Sequence, residues 1–280
     1  MIIVELIGGL GNQMFQYAYY TQLKYLGYNV KSTVHRYDKY KLHNGFELSN
    51  IFQNIDIEFA TKEEDSIYYN KFNKFLQKLK LGNKIIHQDV FCFHEKYFKL
   101  PNNCYIAGYW SSNKYFINVQ NIIKNHFLFP EFNIIKNINL YQQIISSNSV
   151  SIHVRRGDYV GHKLYENICT VKYYKMAIEY IKNKINNPLF FVFSNDIKWC
   201  KDNFNFIDAI FIDHNHKTNS YRDMQMISNC KHNILANSSF SWWGAFLNQN
   251  KNPIIITPKK FFNGNIYDER DMYPNTWIKI

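Results

Sequence analysis

Short apolar runs alternate with amphipathic stretches along most of the chain. Residues 2–7 are apolar and end at Gly8-Gly9-Leu10-Gly11; residues 12–26 then carry helical periodicity, Gly27 closes that helix, and 28–33 reads as a second strand. Strand, glycine turn, helix and strand form the opening of a βαβ unit. The pattern is less regular over 35–105, where it predicts a helix at 63–80 and a short strand at 84–91. A strand at 104–109 and a helix at 117–127 follow. From about residue 137 the alternation is regular. It predicts helices at 138–146, 171–184, 197–204, 219–229 and 241–249, with strands at 150–155, 189–194, 209–213, 233–236 and 254–257.

Apolar strands of four to six residues between amphipathic helices imply parallel, doubly wound α/β sheets. Two such segments around an irregular middle predict two Rossmann-like domains, 1–146 and 147–280, facing a cleft. Composition agrees with a packed globular chain: 280 residues, 46% hydrophobic, with only 11 Gly and 6 Pro, which excludes disordered and collagen-like classes. Lys and Arg exceed Asp and Glu by 33 − 22 = +11, a field that attracts nucleic acid, anionic lipid or phosphorylated ligands. The lysines are scattered, as an AT-rich coding genome would also make them. Five cysteines without a CxxC pair indicate neither a zinc knuckle nor a disulfide framework, and fit a reducing cytoplasm. The first residues read as a strand, not a signal peptide, and no run approaches the roughly 18–20 apolar residues of a membrane span.

Several turns carry candidate chemistry. Gly8-Gly9-Leu10-Gly11-Asn12-Gln13 lets backbone approach a ligand at a helix N-terminus, though it has neither the GxGxxG nor the P-loop spacing; a plain tight βα turn explains it as well. His153-Val154-Arg155-Arg156-Gly157-Asp158-Tyr159 follows a strand, where open α/β sheets bind ligands. One arginine is expected to clamp phosphate bidentately, and the other to pair with Asp158 and hold the loop. Asn237-Ser238-Ser239-Phe240-Ser241 offers hydroxyls and free N–H groups at a second helix start, with ordinary N-capping by Ser239 or Ser241 compatible with that use. Ser194-Asn195-Asp196 ends another strand and reads as a nucleotide contact or as a helix cap. Trp242 and Trp243 read as packing. His214-Asn215-His216 reads as a solvated loop, since no carboxylate stands at ligand spacing. Asp-x-Asp, GxSxG and HExxH are absent. Together these features describe an enzyme that binds a nucleoside diphosphate without a metal motif.

The chain resembles the bacterial α-1,2-fucosyltransferases, glycosyltransferase family 11. The resemblance is carried by GGLGNQMFQYA from Gly8, GYWSSNKYF from Gly108, HVRRGDY from His153, FSND from Phe193, and the stretch 223–245. It implies a GT-B fold with the acceptor on the N-terminal domain and the donor on the C-terminal one. It also implies GDP-β-L-fucose as donor, inversion at the anomeric carbon, and no metal or other cofactor. By similarity to α-1,6- and protein O-fucosyltransferases, Arg155 falls on the β-phosphate contact, His153 lies near the nucleoside, and Ser238 and Ser239 match the phosphate-binding turn. Asp223, sixteen residues before Ser239, matches the guanine-reading carboxylate, although it also reads as an ordinary helix-start acid. Asn12 matches an asparagine near the reaction centre, with Gly9 and Gly11 beside it. Ser194, Asp196 and Asn237 complete the expected nucleotide contacts. The glutamate that α-1,6 enzymes carry ten residues after the motif histidine is Lys163 here, which leaves Asp158 as the nearest motif carboxylate for base chemistry.

The resemblance thus implies transfer of L-fucose to O2 of a terminal β-galactoside in a surface polysaccharide or O-antigen repeat. The enzyme would be cytoplasmic, with +11 charge favouring peripheral contact with an anionic membrane and a lipid-linked acceptor. Another GDP-deoxyhexose such as colitose satisfies the same nucleotide motifs. A nucleic-acid-binding protein would need a clustered basic face, and no RNP, KH or helix-turn-helix signature supports one.

Overall fold

The computed structural model describes residues 1–40, 42–78, 82–265 and 267–280. They form two compact units: Met1–Phe129 with Arg270–Met272, and Pro130–Glu269 with Tyr273–Ile280.

The first unit holds strands β1 (Ile2–Glu5), β2 (Val30–Thr33), β3 (Lys84–His87) and β4 (Cys104–Ala107), all parallel, in the order β2-β1-β4-β3. Its helices are α1 (Leu10–Tyr25), α2 (Leu48–Ile51), α3 (Lys62–Tyr69), α4 (Lys71–Lys78) and α5 (Gln120–His126). The single helix expected at 63–80 is broken at Asn70, an extended residue between α3 and α4; its last two residues, Leu79 and Lys80, lie outside the described residues. Thr61 starts α3 with a capping box to Glu64, and the Thr-x-x-Glu spacing is its signal in the sequence. On one sheet face Ile3, Tyr105 and Ala107 pack against Ala60 and Tyr68. Arg270–Met272 belongs here because Asp271 accepts from Phe93 N–H and pairs with Lys114.

The second unit holds β5 (Asn148–Val154), β6 (Pro188–Ser194), β7 (Ala209–Ile212), β8 (His232–Ile234), β9 (Ile255–Thr257) and β10 (Ile278–Lys279). All pair in parallel, in the order β10-β9-β8-β5-β6-β7. Counted along the chain this is the 3-2-1-4-5-6 arrangement of a doubly wound dinucleotide-type sheet. Its helices are α6 (Ile135–Ser146), α7 (Val171–Lys182), α8 (Ile197–Asn203), α9 (Tyr221–Asn229) and α10 (Ser239–Phe246). Alternation along β6 explains both faces. Phe190 and Val192 enter a core with Tyr174, Ile178 and Ile181 of α7 and Cys200 of α8. Phe191 and Phe193 point the other way, onto Leu140 and Ile144 of α6 and Met226 and Ile227 of α9. Because α6 is spent on that core it belongs to the second unit, which begins at Pro130 rather than at 147.

The two Rossmann-like sheets are those of a GT-B fold. Trp242 and Trp243 are buried within α10, Trp242 against Trp277. Gly244 lets α10 lie close on α9: a Cβ there would stand 2.5 Å from Ile227 Cγ2. Gly244→Ala is expected to cost about 1–3 kcal/mol through overpacking. The cost will read as a lower denaturant midpoint with an unchanged slope.

Candidate active site

In the second sheet the strand order reverses between β5 and β8, and such sheets bind ligands beyond the strand ends at that point. The loops leaving those two strands carry Arg155–Tyr159 and Asn237–Ser239. Residues expected to act together thus stand at one edge because the topology brings their strands side by side.

The two arginines divide their work differently from the expected pairing. Arg156, not Arg155, is the pinned one: its Nε donates to Asp196 Oδ2 at 3.2 Å, and its guanidinium lies 4.0 Å over the Trp199 ring. Its backbone N–H donates to Asn195 Oδ1 at 2.9 Å, and Asn195 packs so closely on Gly157 that a Cβ there would collide with the amide. Ser194 Oγ accepts from Asp196 N–H, and Asp196 Oδ1 accepts from Trp199 N–H as the cap of α8. Ser194 and Asp196 therefore build the loop that holds Arg156. Arg155 makes the ion pair with Asp158, at 2.8 Å, with Asp158 about half exposed, and lies 5.6 Å from the Tyr159 ring. The Arg155 side chain is itself mostly buried, and a local pair with a half-exposed carboxylate contributes at most about 1 kcal/mol to stability.

Tyr159 donates to the Asn237 carbonyl at 3.0 Å and stacks on Tyr165, joining the arginine loop to the serine turn. Asn237 itself is spent inside the protein: its amide donates to Phe261 and Tyr165 carbonyls and its Oδ1 faces Cys169 Sγ. Its side chain therefore braces the serine turn from within. Ser238, rather than Ser239 or Ser241, caps α10, accepting from Phe240 N–H at 3.3 Å. Ser239 is the first helical residue and is half-buried.

His153 is the penultimate residue of β5, buried and stacked 5.5 Å from the Phe240 ring. Burial, with Arg155 nearby, pushes its pKa down to about 3, so the ring is neutral, and no partner reaches Nδ1 among the described residues. Asp223 stands in the first turn of α9. Its Oδ1 accepts from Asn215 at 2.7 Å, yet burial outweighs that bond and pushes its pKa up to about 7. Of the His214-Asn215-His216 loop only His216 is exposed as expected. Asn215 is buried and His214 half-buried, because both are drawn into contacts with Asn137 of α6.

The first unit has its own reversal, between β1 and β4, flanked by the glycine turn and by Gly108–Trp110. Gly8 has φ +94°, and a Cβ on it would meet Asn12 Nδ2 at 2.8 Å, so the glycine seats the Asn12 amide over the turn. Gly9 is the N-cap of α1, with the His43 ring against it, and Gly11 is buried in the first turn. The motif's two glutamines explain its rigidity. Gln13 donates to Gly8 and Gly45 carbonyls and accepts from Glu47 N–H. Gln16 accepts from Ile7 N–H and donates to the Gly108 carbonyl, tying both loops together. These braces were not singled out from sequence, although a glutamine on a fully buried helix face is itself a signal of committed hydrogen bonds.

Among the described residues, no group of three or more His, Cys, Asp or Glu stands close enough to hold a metal ion. No described helix is long and apolar enough to cross a membrane.

A glycosyltransferase is the class this fold and these motifs define, and the family model described as glycosyl transferase family 11 matches residues 1–280. The chain belongs to glycosyltransferase family 11 and is a sugar-transferring enzyme. It is 36% identical to an alpha-1,2-colitosyltransferase of Escherichia coli, across 100% of this chain and 99% of that one. It is 30% identical to the O-antigen biosynthesis glycosyltransferase WbnK of the same organism, across 98% and 99%. Among solved structures, fucosyltransferase NodZ from Bradyrhizobium superposes with a TM-score of 0.53 at 13% identity, covering 87% of this chain and 91% of that one. That likeness is one of fold.

Proposed function

We propose that the enzyme transfers a 6-deoxyhexose from its GDP-activated form to O2 of a terminal β-galactoside, with inversion, in building a surface polysaccharide repeat. L-Fucose is the first donor reading. The observation that carries the proposal is the placement of Arg155 at the switch point, paired, among the described residues, only within its own loop, beside the capped start of α10. In this reading Arg155 exchanges Asp158 for the β-phosphate, and the Ser238–Ser239 turn supplies hydroxyls and N–H groups to the same diphosphate. Positive groups already in place stabilise charge as GDP departs, the term that usually dominates such catalysis. His153 lies against the nucleoside, and Asp223 accepts from guanine N1 and N2. Asn12, with Gly9 and Gly11 beside it, is assigned to the sugar and acceptor by the family resemblance alone. Asp158, freed when phosphate claims Arg155, is the carboxylate offered to the acceptor hydroxyl proton. The net charge of +11 supports work at an anionic membrane surface on a lipid-linked acceptor.

A second donor reading rests on the 36% identity to a colitosyltransferase along the whole chain. Colitose lacks the 3-hydroxyl of fucose, so the two readings differ only at that contact. Titration calorimetry with GDP comes first, without added divalent ion, followed by transfer from GDP-fucose and GDP-colitose to a galactose-terminated acceptor. Saturable GDP binding and product from one donor are expected. Folded protein that does not bind GDP overturns the proposal, and product from GDP-colitose alone replaces fucose with colitose.

A further inference from the structure

Asn137 is fully buried on the face of α6 that also buries Leu140 and Ile144, and Asn215 is nearly so. Burying an amide on an apolar face is costly unless all its polar atoms are matched. Here they are matched in series. His214 Nε2 lies 2.6 Å from Asn137 Oδ1, Asn137 Nδ2 donates to Asn215 Oδ1 at 2.9 Å, and Asn215 Nδ2 donates to Asp223 Oδ1 at 2.7 Å. With the His214 proton on Nε2, every bond in the series is donated toward the carboxylate. Burial and Lys136 push His214 below its ordinary pKa, which keeps the ring neutral with one proton to place. The chain spans α6, the segment after β7 and the first turn of α9, so three elements converge on one carboxylate.

We infer that Asn215, backed by Asn137 and His214, is a positioning residue that sets the plane of the Asp223 carboxylate for reading a guanine edge. The inference rests on the proposed GDP reading. Each carboxylate oxygen can accept twice, so Oδ1 keeps Asn215 and still serves a base, while Oδ2 stays open. Two parallel donors on guanine need both oxygens in one fixed plane. A carboxylate free to rotate would retain charge but lose the distinction between one donor and two.

The test compares GDP, IDP and ADP by calorimetry on wild type, Asn215→Ala and Asp223→Ala. Hypoxanthine keeps N1–H but lacks the 2-amino group, and adenine offers neither donor. Wild type is expected to prefer GDP over IDP by roughly tenfold, about one hydrogen bond to a charged group. Asn215→Ala should bring that ratio close to one while leaving ADP affinity unchanged. Equal weakening of all three nucleotides, or an unchanged ratio, overturns the positioning role. Wild type without a preference for GDP over ADP, or Asp223→Ala without effect, overturns the base-reading assignment itself and is distinguishable from failure of the relay. If Asn215→Ala does not fold, 15N shifts of His214 in wild type decide. The Nε2–H tautomer is expected, and Nδ1–H overturns the relay.

Discussion

Arg155→Ala is expected to lower turnover by about 10²–10³ and GDP affinity by tenfold or more, with little change in melting temperature. The asymmetry follows from what the side chain does in the free enzyme. Its ion pair with Asp158 is local, three residues along the same loop, and its carboxylate is half exposed, so removing it costs the fold at most about 1 kcal/mol. Its place beyond β5 at the strand-order reversal is where a diphosphate would lie. Arg156→Ala should behave in the opposite way. That side chain sits over Trp199 and pairs with the cap of α8, so its loss costs about 1–2 kcal/mol of stability and loosens the loop. Arg155→Lys will not rescue the first variant fully, because an ammonium is a point charge without the bidentate fork. Calorimetry with GDP and thermal melts on the three variants check this. Equal loss of binding in both alanine variants would contradict the division of labour.

That division shows where sequence reading ends. The alternating pattern from 137 onward placed each strand and helix of the second unit save β10, whose two residues are too few to carry a period. Loop sequences also singled out Arg155-Arg156-Gly157 and the serine turn, which the β5–β8 pairing brings to the same end of the sheet. Which arginine pairs with which acid could not be read locally. The partner of Arg156 is Asp196, forty residues away on the neighbouring strand end, and only the β5–β6 register brings them together. Asn137 and Asn215 were invisible for the same reason, because a buried amide looks like a surface one until its partners are known. The domain boundary was misplaced by local reasoning of another kind. Periodicity gives α6 an apolar face but not the sheet that face will meet, and Phe191 and Phe193 decide that.

GDP affinity should rise with pH through about 7 and then level off, while the stability of the free enzyme changes in the opposite sense. Both follow from Asp223, whose pKa is pushed up to about 7 by burial. In the unfolded chain an aspartate titrates near 3.9. Between roughly pH 4 and 7 the unfolded state has released this proton and the folded state still holds it, so the folded state binds more protons. Stability therefore falls as pH rises across that window, by at most about 1.4 kcal/mol per unit from this one group, and is fully present only below the unfolded value. In the proposed reading guanine N–H donors bind the ionised carboxylate, so GDP must wait for the proton to leave. Its affinity weakens by up to about tenfold per unit below pH 7 and is flat above it. Asp223→Asn should flatten both curves, removing the stability slope between pH 4 and 7 and leaving weak, pH-independent nucleotide binding. The comparison is a pair of titrations, denaturant melts of free enzyme and GDP calorimetry, each at several pH values. A wild-type affinity that is flat from pH 5 to 8 would mean that Asp223 is ionised throughout, or that no base depends on its charge.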